Sequence, residues 1–240
     1  MGEGLSIAVH MQRGWNGLLN AVLPQDCLLC GQADADDLLC QACLADLPRL
    51  PSEHCPVCAL QTPGSNVCGE CLRHSPHFDA TYATFAYAFP IDQLVQAFKY
   101  GHQLALSRLF SRHMIDALDI KADVMIAMPL SKERLRQRGF NQAVEIARPL
   151  AKSRKLDIDL HVARRVTDTV AQASLPWKER RANIRHAFEC RADLSGKSVV
   201  VVDDVMTTGA TLDEFARTLK LHGAAHITNL VFARTLKHAS

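Results

Sequence analysis

The stretch Ser198-Val-Val-Val-Val-Asp203-Asp204-Val-Met-Thr-Thr208-Gly-Ala-Thr211-Leu decides the fold of this chain. Its apolar run, Val199–Val202, has the β-branched composition of a strand buried on both faces of a parallel sheet. Two carboxylates end the run, and small hydroxyl residues with one glycine lead into a helical pattern at residues 211–221. The order strand, loop, helix predicts an α/β unit, and the N–H groups at such a helix start form a ready site for an anion.

The residues after this strand suit a phosphorylated sugar. We expect the phosphate to bind the loop Thr207, Thr208, Gly209, Ala210 and Thr211, which we call the phosphate loop. Asp203 and Asp204 would then take ribose hydroxyls or belong to a Mg²⁺ shell. A receiver domain also has an acidic pair after a strand, but near its start and without such a loop behind it. Neither G-x-x-x-x-G-K-[ST] nor G-x-G-x-x-G occurs, which argues against a P-loop or a dinucleotide fingerprint.

This stretch resembles the phosphoribosyl pyrophosphate (PRPP) loop of type I phosphoribosyltransferases, an apolar run followed by [DE][DE]-x-x-[TS][TS]-G-x-[TS]. Every defining position of that pattern is matched between Val202 and Thr211. The resemblance implies PRPP with Mg²⁺ as the ligand. It also implies Asp203 and Asp204 as the residues that hold the ribose during catalysis.

Length and composition allow one α/β domain plus a smaller module. The 240 residues are 48% hydrophobic and 22% charged, which is ordinary for a globular protein. No apolar run approaches the length of a membrane helix, and residues 1–23 lack the cleavage site of a signal peptide. We therefore expect a cytoplasmic protein without membrane insertion.

Charge is distributed unevenly along the chain, although the net charge is only +2. Residues 27–71 contain one arginine against six carboxylates, a net −5, whereas residues 131–191 contain fifteen Lys/Arg against seven Asp/Glu, a net +8. A basic segment of this kind is expected to meet phosphates, either of a small ligand or of single-stranded DNA. The alternative is a solvated helix face that is rich in arginine.

Eight of the nine cysteines form four C-x-x-C pairs. Nine residues separate the first pair from the second, and nine residues separate the third pair from the fourth. Two such pairs complete a tetrahedral zinc site, so the spacing predicts two structural zinc ions. The expected ligands are Cys27, Cys30, Cys40, Cys43, Cys55, Cys58, Cys68 and Cys71. Sequential and interleaved allocations both remain open. Disulfides fit a reducing compartment poorly, and the spacing is not one of the usual iron–sulfur runs.

Strand and helix patterns alternate through the rest of the chain, which predicts a parallel sheet with ligands at its carboxyl end. Strands are expected at 80–89, 123–128, 199–202 and 227–232, and helices at 91–99, 104–118, 141–152 and 211–221, with Asn141 as an N-cap. Residues 160–188 predict a long excursion of the kind that forms a lid. The boundary between an N-terminal zinc module, 1–75, and the sheet domain, 76–240, is expected near Ser75.

Three further motifs surround the predicted sheet: Phe98-Lys99-Tyr100-Gly101, Arg138-Gly139-Phe140-Asn141-Gln142, and a spaced set from Gln172 to Phe188. Pyrophosphate carries several charges and needs arginine, Mg²⁺ and backbone donors together. We therefore expect pyrophosphate or lid contacts from Lys99, Arg138, Gly139, Asn141, Gln142, Gln172, Arg180 and Asn183. Few residues follow the last predicted strand, so we expect an element that covers an acceptor to come from the N-terminal segment or the cysteine module.

Taken together, the four cysteine pairs, these motifs and the phosphate loop resemble the ComF family of bacterial competence and DNA-utilisation proteins. In that family a double zinc ribbon precedes a phosphoribosyltransferase-like domain. The resemblance implies two hypotheses. The chain is either a phosphoribosyltransferase with an unidentified acceptor, or a non-catalytic PRPP- or nucleotide-binding accessory protein. In the second case it would contact single-stranded DNA or a DNA-uptake helicase.

Overall fold

The computed structural model describes residues 26–33, 38–115, 121–166 and 186–236. The chain divides into two compact units, Met1–Leu47 and Pro48–Ser240. In the smaller unit the described residues hold the first group of four cysteines and a short helix, α1, Gln41–Ala45. The larger unit holds the second group of cysteines and the sheet. The boundary at Ser75 that the sequence suggests stays a prediction.

A four-stranded sheet in the order β1-β6-β5-β2 forms the centre of the larger unit, and every neighbouring pair is parallel. Its strands are β1 Ala80–Ala86, β2 Val124–Ala127, β5 Ser198–Met206 and β6 His226–Arg234. A separate antiparallel pair joins β3, Ala163–Arg165, to β4, Phe188–Cys190. The parallel sheet confirms the predicted fold class.

Helices connect the strands and cover the sheet. They are α2 Gly69–Arg73, α3 Ile91–Tyr100, α4 Leu106–Ile115, α5 Lys132–Arg138, α6 Gln142–Arg154 and α7 Ala210–Leu221. Ser111 of α4 donates a hydrogen bond to the carbonyl of Ile146 in α6, at 2.9 Å, which ties these two helices together. No helix among the described residues is long and apolar enough to cross a membrane.

An aromatic cluster fills the space between the sheet and the helices. The rings of Phe110 and Phe232 stack with centroids 3.7 Å apart, and Phe98 meets Phe110 edge-on at 5.2 Å. Phe85 meets Phe232 at 5.1 Å, and all four rings are buried. Because Phe98 is anchored in this cluster, its neighbour Lys99 is held at a fixed place beside the carboxyl end of the sheet.

Two strands are longer than the sequence predicted. β5 continues past Val202 to Met206, because Asp203 and Val205 pair with Val231 and Ala233 of β6. The prediction that the strand ends before the carboxylates was therefore wrong. β6 likewise extends to Arg234 instead of ending at residue 232.

The basic motif after β2 also differs from its prediction. The sequence predicted no helix between the strand at 123–128 and the helix at 141–152. In the structure Arg138 ends α5, Gly139 follows in the left-handed conformation with φ +78°, and α6 begins only at Gln142. A Ser131 N-cap explains α5, since its hydroxyl accepts a bond from the N–H of Arg134. Of the predicted lid, the residues Gln172, Arg180 and Asn183 lie outside the described residues.

The outer edge of β1 is covered by the segment that leads into the second group of cysteines. The N–H of Ala86 donates to the carbonyl of Pro48 at 2.8 Å, and the N–H of Leu50 donates to that of Thr84 at 3.3 Å. The N–H of Thr81 donates in turn to the carbonyl of Pro56, at 3.2 Å. The sheet and the second group of cysteines are thus joined by backbone hydrogen bonds.

Candidate functional site

The cysteines form two sites of four, allocated sequentially along the chain. The first cysteine site is Cys27, Cys30, Cys40 and Cys43, and the second cysteine site is Cys55, Cys58, Cys68 and Cys71. Within each site all ligand atoms lie within 4.8 Å of one another. The structure thereby settles the allocation that the spacing left open.

Both sites fit zinc. A tetrahedral ion with Zn–S bonds of about 2.3 Å places its sulfurs about 3.8 Å apart. The Sγ atoms of Cys30 and Cys40 are 3.7 Å apart, and those of Cys58 and Cys68 are 3.5 Å apart. The N–H of Cys68 also points to the Sγ of Cys55 at 3.3 Å, as expected for a thiolate that accepts a backbone hydrogen bond. Burial and then the neighbouring sulfurs raise the pKa of Cys71, so a cation is needed to hold all four as thiolates.

At the carboxyl end of β5, Asp204 makes an ion pair with Lys99 of α3. The distance from Nζ to Oδ2 is 2.6 Å, and the side chains are 17% and 8% exposed. The other carboxylate oxygen of Asp204 accepts the N–H of Val205 at 2.8 Å. Burial lowers the pKa of Lys99, but the negative charges of Asp204 and Asp203 outweigh it and raise the pKa overall. Lys99 therefore stays a cation beside the carboxylate pair.

Asp203 lies next to this ion pair. Its Oδ1 accepts the N–H of Asp204 at 2.9 Å. Burial, together with the negative charge of Asp204, raises the pKa of Asp203 to about 7. A carboxyl group in this state gains free energy from a cation or from hydroxyl donors that approach it. Ribose hydroxyls and Mg²⁺ both fit that requirement.

The phosphate loop joins β5 to α7, and its shape depends on Gly209. Gly209 is the N-cap of α7 with φ +83°, and a Cβ on it would lie 2.5 Å from the Cε of Met206. The hydroxyl of Thr208 accepts the N–H of Ala210 at 3.3 Å, and Thr207 and Thr208 are exposed. The N–H groups of Thr211 and Leu212 stand in the first turn of α7, where no intrahelical acceptor exists. The loop thus has the donors that a phosphate needs.

Replacing Gly209 by alanine is expected to destabilise the larger unit by about 2 kcal/mol, from backbone strain and the contact with Met206. Gly196→Ala is the matched control, because Gly196 has φ +71° but a Cβ added there would have nothing within 4 Å. Urea unfolding of both variants separates the contact from the backbone strain that they share. An equal loss of unfolding free energy in the two variants would show that the crowding beside Met206 is unimportant.

The basic motif places Arg138 near Lys99. One terminal nitrogen of Arg138 donates to the hydroxyl of Tyr100 at 3.1 Å and the other to Oε1 of Gln142 at 3.0 Å. The guanidinium also lies over the Tyr100 ring, 5.1 Å from its centroid. Gln142 is buried, and its Nε2 has no hydrogen-bond partner among the described residues. These groups offer donors to an anion beside the carboxylate pair.

Asn141 has a structural role in the same motif. Its Oδ1 accepts the N–H of Ala143 at 3.0 Å, which caps α6 as predicted, and its Nδ2 donates to the carbonyl of Met128 at 3.0 Å. The side chain therefore fixes the start of α6 against the end of β2. Of the residues predicted for pyrophosphate, the structure brings together Lys99, Arg138 and Gln142, while Asn141 supports them.

A cavity of about 730 Å³ lies between the second cysteine site and the phosphate loop. Cys58, Cys71, Phe78, Met206 and Asp213 contribute to its walls, together with residues 207–210 of the loop. The second cysteine site therefore lies beside the phosphate loop, while a cover over an acceptor stays a prediction.

Arg234 was missed by the sequence reasoning. It is 3% exposed and lines the same cavity. The available signal was an arginine that directly follows the apolar residues Leu-Val-Phe-Ala. An arginine at the end of a buried strand is itself buried, and a buried guanidinium must bind several acceptors. The pairing of His77 with Asp213 was also missed. Both the N–H and Nδ1 of His77 contact Oδ1 of Asp213, at 2.7 and 2.8 Å, which fixes the segment before β1 to the first turn of α7.

Comparison with known proteins supports the same two-part organisation. A double zinc ribbon domain matches residues 18–72, and a phosphoribosyl transferase domain matches residues 135–239. The chain is 31% identical over 207 residues to the DNA utilization protein YhgH of Escherichia coli O157:H7, covering 82% of this chain and 91% of that protein.

Two competence proteins are similar over comparable lengths. The identity is 32% over 203 residues with Competence protein F of Haemophilus influenzae, covering 79% of this chain and 87% of that protein. It is 26% over 212 residues with Competence protein ComFC of Bacillus subtilis, covering 83% and 85%.

Proposed function

Because the chain belongs to the ComF family of competence and DNA-utilisation proteins, with a double zinc ribbon and a phosphoribosyltransferase domain, we propose that it binds PRPP in DNA uptake or utilisation. The observation that carries the proposal is the order of groups at the end of β5. A carboxylate pair lies beside Lys99, and a loop rich in N–H donors follows it directly.

Different residues bind the different parts of PRPP. Asp203 and Asp204 hold the ribose hydroxyls, and the phosphate loop binds the 5′-phosphate. Lys99 and Arg138 face the pyrophosphate, with Gln142 behind Arg138. Mg²⁺, when bound at the carboxylates, supplies positive charge for the pyrophosphate oxygens. This arrangement requires no cysteine to react, since closed four-cysteine zinc sites have no open position.

In a transfer reaction the bond from C1 to pyrophosphate breaks and an acceptor atom bonds to C1. The donors around Arg138 would stabilise the departing pyrophosphate, and the carboxylates would stabilise positive charge that develops on the ribose. We place this chemistry in the cytoplasm.

The proposal predicts Mg²⁺-dependent PRPP binding by the zinc-loaded protein. Calorimetry should give a 1:1 complex, and Arg138→Met should weaken it by roughly tenfold, because charge-assisted hydrogen bonds to pyrophosphate are lost. Arg164→Met is the control, since Arg164 pairs with Glu189 at the exposed β3–β4 ribbon. An unchanged PRPP affinity of the Arg138→Met variant would show that Arg138 does not contact the pyrophosphate.

Turnover is tested separately from binding. Pyrophosphate release from PRPP is measured with Mg²⁺, with and without nucleobases or single-stranded DNA. Acceptor-stimulated release supports the transferase hypothesis. Tight binding without release under any condition supports an accessory protein in which the ligand only sets conformation.

A second function, contact with single-stranded DNA, is favoured by the net +8 of residues 131–191 and by α5, which carries the half-buried Arg134 and the exposed Arg136. Neutralised phosphates release counterions, so affinity should fall steeply with salt. Replacing both arginines by glutamine should flatten the slope of log K against log salt by about 1.4.

A titration of fluorescent single-stranded DNA at several salt concentrations measures this slope. Arg73→Gln is the control, because Arg73 is an exposed arginine just after the acidic segment 27–71 and pairs with Glu70 of that segment. An equal change in both variants, or none in either, would contradict a DNA contact on α5.

A further inference from the structure

Arg234, at the end of β6, connects the second cysteine site to the phosphate loop. Its Nε donates to the carbonyl of Cys58 at 2.8 Å. Its Nη1 donates to the carbonyl of Met206 at 3.0 Å, to that of Thr207, and to that of Thr235 at 2.9 Å. One buried guanidinium therefore binds the backbone of the zinc ligand Cys58 and the carbonyls of Met206 and Thr207, where β5 leads into the phosphate loop.

Arg234 carries its charge beside the second cysteine site. The residue is 3% exposed, and its Nε is bound to the backbone of Cys58. A zinc ion with four thiolates carries a net charge of −2, which favours a buried cation next to it. The loaded cysteine site and Arg234 thus stabilise each other electrostatically as well as by hydrogen bonding.

Arg234 also determines which way the N–H groups of the loop point. A trans peptide is planar, and its N–H points opposite to its C=O. The carbonyl of Met206 shares a peptide with the N–H of Thr207, and the carbonyl of Thr207 shares one with the N–H of Thr208. Because both carbonyls are bound to Arg234, both N–H groups face away from it, in the orientation that leaves them available to an anion.

We propose that Arg234 is a positioning residue through which the second cysteine site sets the conformation of the phosphate loop, so that zinc at that site and a phosphoribosyl ligand at the loop stabilise each other's binding. The effect on the loop itself follows from the contacts of Arg234 alone. The effect on the ligand rests on the proposed function. By thermodynamic linkage, any gain in ligand affinity from zinc must equal the gain in zinc affinity from the ligand.

The first experiment needs no ligand. Amide hydrogen exchange of residues 207–212 is followed by mass spectrometry in the zinc-loaded wild-type protein and in Arg234→Met and Arg234→Lys. We expect exchange at least about tenfold faster in Arg234→Met, because the loop loses charge-assisted hydrogen bonds. Arg234→Lys keeps the charge but has fewer donors, so its exchange rate should lie between those of the wild type and Arg234→Met. Arg164→Met is the control and should exchange like the wild type. Unchanged exchange in the Arg234→Met loop would overturn the proposal.

The second experiment uses the wild-type Arg234 and so does not depend on the folding of that variant. Zinc release to a chromophoric chelator is timed with and without PRPP and Mg²⁺. Cys40→Ser/Cys43→Ser protein, which keeps only the second cysteine site, identifies the phase of release that belongs to that site, and the remaining phase of the wild-type protein reports the first site. We expect PRPP to slow release several-fold from the second site only.

The outcomes separate the two proposals. If calorimetry detects no PRPP binding by the wild type, the proposed function fails, and the exchange measurement still decides the role of Arg234. If PRPP binds but zinc release from the second site is unchanged, or is slowed equally at both sites, the linkage through Arg234 is wrong.

Discussion

Replacing Cys55 and Cys58 by serine is expected to halve the zinc content, from two ions per chain to one, and to destabilise the larger unit strongly. Structural zinc supplies folding free energy on the order of 10 kcal/mol in small domains. Here the second cysteine site also supplies the carbonyls that accept from Thr81 and Arg234. Its loss therefore reaches the sheet and the phosphate loop.

Elemental analysis and thermal unfolding of freshly purified protein measure both effects. Cys190→Ser is the matched control, because Cys190 is a buried cysteine that belongs to neither site. The control should retain two zinc ions. Iron in place of zinc, or two ions in the double variant, would contradict the assignment of the second site.

Removing the charge of Asp203 and removing that of Asp204 are expected to change the free energy of unfolding in opposite directions. Asp204→Asn leaves Lys99 buried without its partner and should cost about 3 kcal/mol of folding free energy. Asp203→Asn removes a carboxylate that burial and Asp204 disfavour, and should stabilise the fold. Both variants should bind PRPP with Mg²⁺ more weakly, because both lose a ribose or metal ligand.

Urea unfolding and calorimetry on the same preparations test this pair. Lys99→Met/Asp204→Asn separates stability from binding, since removing both charges should restore much of the stability without restoring affinity. Loss of stability in both single variants would mean that Asp203 is also held by a structural partner. Unchanged PRPP affinity in Asp203→Asn would exclude it from the ligand site.

Local signals in the sequence were sufficient for the fold class and for the cysteine pairs. Four β-branched residues before Asp203 predict a buried strand, and the glycine of the phosphate loop marks the turn into α7. The strand ends were missed because they depend on pairing. Asp203 lies within β5 only because Val231 of β6 lies beside it, and a strand's partner is not visible in its own residues.

Contacts between distant segments account for the rest of the site. The Lys99 motif was recognised, but its ion pair with Asp204 requires that α3 and β5 meet at the same end of the sheet. Arg234 was overlooked because its acceptors are backbone carbonyls, which every residue has. A side chain that binds only main-chain atoms leaves no complementary residue type to find.

The position of β6 in the sheet sets the order in which the fold is completed during synthesis. The second cysteine site closes within residues 55–71, so zinc can organise it as soon as that segment has left the ribosome. The bond from Arg234 to Cys58 spans 176 positions, and β6 separates β1 from β5 in the sheet. Because β6 lies between β1 and β5, the sheet cannot close, and Arg234 cannot hold the start of the phosphate loop, until β6 has been synthesised.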